Sequence, residues 1–72
     1  MPKLPVVRPK EALRALQKIG FVLIRQRGSH AQLKKANLLV TLPMHSRDLN
    51  SETLKSILRQ AKLSAEEFTG LL

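Results

Sequence analysis

The chain has no cysteine, tryptophan or tyrosine, only two phenylalanines, and only five acidic residues. Each scarcity closes a route. Without cysteine there is neither a disulfide nor a thiolate metal site, which suits a reducing compartment and makes the cytoplasm the expected location. Two aromatics are too few for a sheet that stacks successive bases on aromatic rings. The longest apolar runs, Val22–Ile24 and Leu38–Val40, fall far short of a membrane span. The opening "MPKLPVVRPK" lacks the apolar stretch of a secretory signal. Four of the five carboxylates lie in the second half, and the two histidines show no ligand spacing. No metal site, no paired-carboxylate hydrolysis and no cofactor is therefore expected. A phosphate-cradling glycine loop is missing as well.

What remains is positive charge. Thirteen lysines and arginines against five acids give +8 over 72 residues. Such a surplus on so small a chain favours a polyanionic partner, most often nucleic acid, held through backbone and shape contacts. The length allows one core, so a single domain over residues 1–72 is expected.

The order of elements follows from periodicity. Residues 1–8, with two prolines, read as an extended arm, and Pro9 suits the first turn of a helix. Ala12, Leu13, Ala15, Leu16 and Ile19 then form an apolar stripe, with Lys10, Arg14 and Lys18 opposite and Gly20 as the stop. "FVLIRQR", "SHAQLKK" and "LLVTLP" read as three strands. The last two are joined by "AN", in which Asn37 is expected to take the left-handed conformation. "MHSRDLN" is a polar connector. Ser51 or Asn50 can cap a helix whose buried face is Leu54, Ile57, Leu58 and Ala61. Ser64 and Glu67 match a capping box, flanked by a staple of Leu63 and Phe68, opening a short last helix over about residues 65–71.

The predicted class is α+β, with an α-β-β-β-α order and a short C-terminal helix. Its three-stranded antiparallel sheet is covered on one face by helices. That arrangement resembles the double-stranded RNA-binding fold, which does not by itself decide function.

The stretch "RQRGSHAQLKK", Arg25 to Lys35, concentrates the chemistry. Ser29 and His30 are neighbours on a strand and point to opposite faces, which argues against serine activated by histidine. Cleavage of RNA by its own 2′-hydroxyl needs fewer groups. An imidazole can take the hydroxyl proton, and nearby cations can steady the charged transition state. Gln32 and Lys34 share a strand face with His30, and Arg25, Arg27 and Lys35 are close in sequence. By spacing alone, a histidine at a strand start is more often structural than catalytic. His45 reads either as an exposed connector residue or as a phosphate contact.

"ALRALQKIGFVLIRQRGSHAQL", "VTLPMH" and "TLKSILRQAKLSAEEF" together resemble the HicA-type toxins of toxin–antitoxin pairs. The resemblance runs from about residue 4 to 72 and rests on Gly20-Phe21, on Arg25 to His30, and on Pro43 and His45 in order and spacing. It implies a double-stranded-RNA-binding-like fold, an mRNA interferase activity, and neutralisation by a HicB-type antitoxin. It carries the catalytic role to His30 within the motif of Gly28, Ser29 and His30. Arg25, Arg27, Gln32, Lys34, Lys35 and His45 become the RNA-binding candidates. Arg8-Pro9, Glu52 and the short connector between the second and third strands depart from the usual pattern and touch caps and turns rather than the Gly-Ser-His element. Two rivals stay open: a non-catalytic RNA-binding module on the same fold, and an interaction domain that binds only the antitoxin.

Overall fold

A computed structural model describes residues 4–72, so the first three residues of the expected arm lie outside the described residues. The elements are α1 (Pro9–Lys18), β1 (Val22–Arg27), β2 (His30–Lys35), β3 (Leu38–Pro43), α2 (Ser51–Ala61) and α3 (Ala65–Thr69). The sheet is antiparallel in the order β1-β2-β3. This is the α+β, double-stranded-RNA-binding-like architecture that the periodicities predict.

Local chemistry accounts for each boundary. α1 starts at Pro9, and the Glu11 carboxylate accepts the Arg8 N–H at 3.0 Å. Arginine has no side-chain acceptor, so only that half of a capping box forms. The helix stops at Gly20, whose φ of 101° suits glycine, with the Phe21 N–H on the Leu16 carbonyl at 3.1 Å. This is the Schellman closure, and it turns Phe21 back onto Leu16 in the core. α2 is capped by Asn50, which accepts from the Thr53 N–H at 2.8 Å. α3 carries a complete capping box between Ser64 and Glu67, and it ends at Thr69, two residues earlier than its apolar pattern suggests.

Both hairpins use two-residue turns, closed by the pairs Arg27–His30 and Lys35–Leu38. In the second turn Ala36 takes the positive φ, 51°, and Asn37 does not. That corrects the expectation for Asn37. A positive φ at the first turn position alone is the type II′ pattern, and the first turn repeats it with Gly28 at φ 53°.

One core holds the elements together. Leu16, Leu33, Val40, Leu42, Leu54, Ile57 and Phe68 are its largest fully buried aliphatic and aromatic side chains within the helices and strands. α1 and α2 both lie against β3. Ahead of α1, the buried Val7 accepts the Leu49 N–H at 2.8 Å through its carbonyl, tying arm to connector.

The register sets which way each backbone faces. Thr41 donates its N–H to the Gln60 side chain at 2.9 Å, so Thr41 points away from β2. By alternation, Gln32 and His30 then bond toward β1, where Arg25 and Arg27 face them. A bulge between Leu23 and Arg25 shifts the pairing, with Ile24 as the extra residue. Gln26, and Leu23 beyond the bulge, present their N–H and C=O to the outer side.

Candidate RNA-binding and catalytic site

Residues directly opposite in an antiparallel sheet share a face. His30 stands across from Arg27 on one side and Pro43 on the other. Gln32 stands across from Arg25 and Thr41. Ala31, Leu33, Val40 and Leu42 take the helix-covered face and are buried. His30 therefore lies on the open face, a choice that the strand pattern alone leaves undecided.

Arg25, Arg27, His30, Gln32 and Thr41 line one surface cavity of about 330 Å³. Two guanidiniums, an imidazole, an amide and a hydroxyl converge there without a carboxylate. Guanidinium forks match phosphate oxygens in geometry and charge. The Gly28-Ser29 turn delivers His30 as the first residue of β2. The Met44 N–H donates to the Ser29 carbonyl, fastening the start of the connector to that turn.

The remaining candidates are dispersed. Lys34 shares the open face with His30 but pairs with Val22 and Leu39, roughly 13 Å along the strand at about 3.3 Å per residue. Lys35 alternates onto the other face, and its ammonium sits 5.9 Å from the centre of the Phe21 ring. It is not brought to His30. His45 lines a separate cavity of about 180 Å³ with Arg8, Pro9, Lys10 and Ser46, beside the start of α1. Its Nδ1 accepts the Arg47 N–H at 3.2 Å, so in the neutral ring the proton belongs to Nε2. Arg8 there is also 3.8 Å from the Asp48 carboxylate.

Thr41 is the member of the cavity that the sequence reading missed. Two-residue turns contain the signal. With Lys35 and Leu38 closing the hairpin, Gln32 must face Thr41, and His30 must face Pro43. Among the described residues no three of His, Asp and Glu come together as a metal-binding group. None of the described helices is long and apolar enough to cross a membrane.

The site is thus a basic cavity on the open face of a small α+β domain, with groups suited to holding an anion. The family model for the HicA toxin of bacterial toxin–antitoxin systems matches residues 9–63, from the first residue of α1 to just beyond α2. The chain belongs to that family. It is thus a toxin of a toxin–antitoxin pair, and an antitoxin is its partner. Among curated proteins, none matches the chain.

Proposed function

We propose that the protein is an endoribonuclease, an mRNA interferase acting in the cytoplasm without a metal ion, and that a HicB-type antitoxin neutralises it. The observation that carries the reading is the cavity that groups His30 with Arg25, Arg27, Gln32 and Thr41.

In this mechanism His30 takes the proton of an RNA 2′-hydroxyl as general base. The 2′-oxygen attacks the adjacent phosphorus, and negative charge grows on the non-bridging oxygens. Arg25 and Arg27 hold those oxygens with charge-assisted N–H donors that strengthen as the charge develops. Gln32 and Thr41 add neutral hydrogen-bonding groups to the same cavity. The bond from phosphorus to the 5′-oxygen breaks, and the leaving oxygen takes a proton from water, which reaches the open cavity freely. The imidazolium then returns its proton to solvent. The products are a 2′,3′-cyclic phosphate and a 5′-hydroxyl. Lys34, and His45 in its separate cavity, contact the RNA on either side of the reacting phosphate, and Lys35 adds charge from the far face.

The test is a pair of RNA strands that differ at one residue, 2′-hydroxyl or 2′-hydrogen, at the mapped cleavage point. Cleavage is expected only of the first. Continued cutting at the 2′-deoxy residue defeats the mechanism.

A further inference from the structure

β1 differs from every other element in having no buried residue. Val22 is 60%, Leu23 38% and Ile24 52% exposed, a run of three apolar side chains on a sheet edge. The two edges of the sheet are treated differently. On β3 the outward N–H of Thr41 is taken by Gln60, and outward-facing Pro43 has no N–H to offer. Among the described residues of β3 only Leu39, opposite Lys34, keeps an unmet outward N–H, so that edge is blocked over its second half. On β1 the outward N–H and C=O of Leu23 and Gln26 meet nothing among the described residues. An edge of unpaired backbone groups beside apolar side chains is a template for an added strand.

A second copy of this chain is a poor occupant. Each copy carries +8, and pairing β1 with β1 would set Arg25 and Arg27 against a like-charged surface. An acidic strand is the complement. The toxin–antitoxin family supplies a protein partner whose task is to bind this chain. We infer that an extended acidic segment of the antitoxin adds to β1 as a fourth strand, pairing with Leu23 and Gln26. Its apolar side chains lie on Val22, Leu23 and Ile24, and its carboxylates reach Arg25 and Arg27. The bulge at Ile24 twists the edge and so restricts pairing to a strand that matches it. Since Arg25 and Arg27 also line the His30 cavity, the added strand occupies the phosphate-holding groups without requiring any contact with the imidazole.

Amide hydrogen exchange on the purified toxin–antitoxin complex tests the inference. Exchange at Leu23 and Gln26 is expected to slow at least tenfold on complex formation, while Thr41, already bonded to Gln60, changes little. The double variant Val22→Ser, Ile24→Ser removes apolar surface from two exposed side chains without changing charge, so the fold should survive, as circular dichroism would verify. It should weaken the complex at least tenfold and leave RNA affinity within twofold. Unchanged exchange at Leu23 and Gln26, or full affinity in the double variant, overturns the inference. So does protection of the same amides by a short RNA on the His30→Ala protein, which would assign the edge to nucleic acid. Concentration-dependent protection of the toxin alone would assign it to self-pairing and overturn it equally. None of these readouts depends on RNA cleavage, so they stand or fall separately from the role of His30.

Discussion

The Met44 N–H donates to the carbonyl of Ser29, so the segment leaving β3 is tied to the turn that precedes His30. The turn, the first residue of β2 and the start of the connector therefore act as one small unit. Its geometry rests on Gly28, whose φ is 53° and whose added Cβ would meet no atom within 4 Å. Space is not what glycine provides there; the left-handed conformation is. Gly28→Ala should cost about 1 kcal/mol, lowering the melting temperature by several degrees in a chain of this size. Gly28→Asn should cost clearly less, because asparagine tolerates that conformation. Equal losses in calorimetry would point to a steric cause instead.

Two other positions have the opposite mismatch. Ala36 and Lys62 hold φ of 51° and 57° with ordinary side chains. Lys62 occupies the position after α2 where the Leu63 N–H closes onto the Leu58 carbonyl, a place that glycine usually fills. Ala36→Gly and Lys62→Gly should each stabilise by about 0.5–1 kcal/mol, the relief of strain exceeding the entropy added to the unfolded chain. Urea unfolding midpoints should rise in both, with unchanged slopes.

Gln60 blocks the β3 edge at Thr41, and its own amide N–H is held by the Ser56 hydroxyl at 3.1 Å. Gln60→Leu leaves the part-buried Thr41 N–H without an acceptor, at a cost of about 1–3 kcal/mol. It also extends the free stretch of the β3 edge from Leu39 to Thr41, so self-association should rise in sedimentation at high concentration. Gln60→Glu keeps an acceptor oxygen and should recover most of the stability. A leucine variant with the parent's stability and the parent's sedimentation behaviour would show that the bond contributes little.

Much of this fold can be read from spacing. The stripe from Ala12 to Ile19, the capping pair Ser64 and Glu67, and the two short turns are local signals, and local chemistry decides them. The register of β2 against β3 was also available, because a two-residue turn leaves no freedom in which residues face each other. The exposure of β1 was not. "VLI" has the composition of a buried strand, and only the placement of α1 and α2 over β3 leaves it uncovered. The bulge at Ile24 was equally hidden, since three consecutive apolar residues offer no alternation from which a slip can be detected. His45 is separated from His30 by the path of the connector, which the Leu49–Val7 hydrogen bond directs toward the arm.

The proposed site separates binding from chemistry. His30 is exposed, so His30→Ala should leave stability within about 0.5 kcal/mol. It should abolish cleavage and retain RNA binding. Arg25→Gln and Arg27→Gln should each weaken binding and reduce the slope of log K against log salt by about 0.7, the value for one phosphate contact on a single strand. Lys35→Gln provides the internal comparison, because that ammonium lies over Phe21 on the other face. Its effect on the slope should be smaller than that of either arginine. Filter binding across a salt series measures all three, and an equal loss for Lys35 would place the RNA elsewhere on the surface.

Acid stability should report on the cap of α3. The Ser64 N–H donates to the Glu67 carboxylate at 2.9 Å, and the Ser64 hydroxyl accepts the Glu67 N–H at 3.0 Å. The backbone bond from Ser64, with the side-chain bond second, holds the Glu67 carboxyl below its ordinary value of 4.5. A carboxyl whose pKa is lower folded than unfolded binds its proton more readily in the unfolded chain. Its contribution is therefore fully present above about pH 4.5 and is lost as the pH falls through the lower, folded value. Glu67→Gln keeps an acceptor for the Ser64 N–H but has no charge to protonate. The gap in melting temperature between parent and variant should be constant near neutrality and should close as the pH is lowered through the acid range. Because Glu67 is fully exposed, salt should shrink the same gap at neutral pH. A gap that stayed constant down to pH values well below 4.5 would mean that the bond, and not the charge, stabilises the cap.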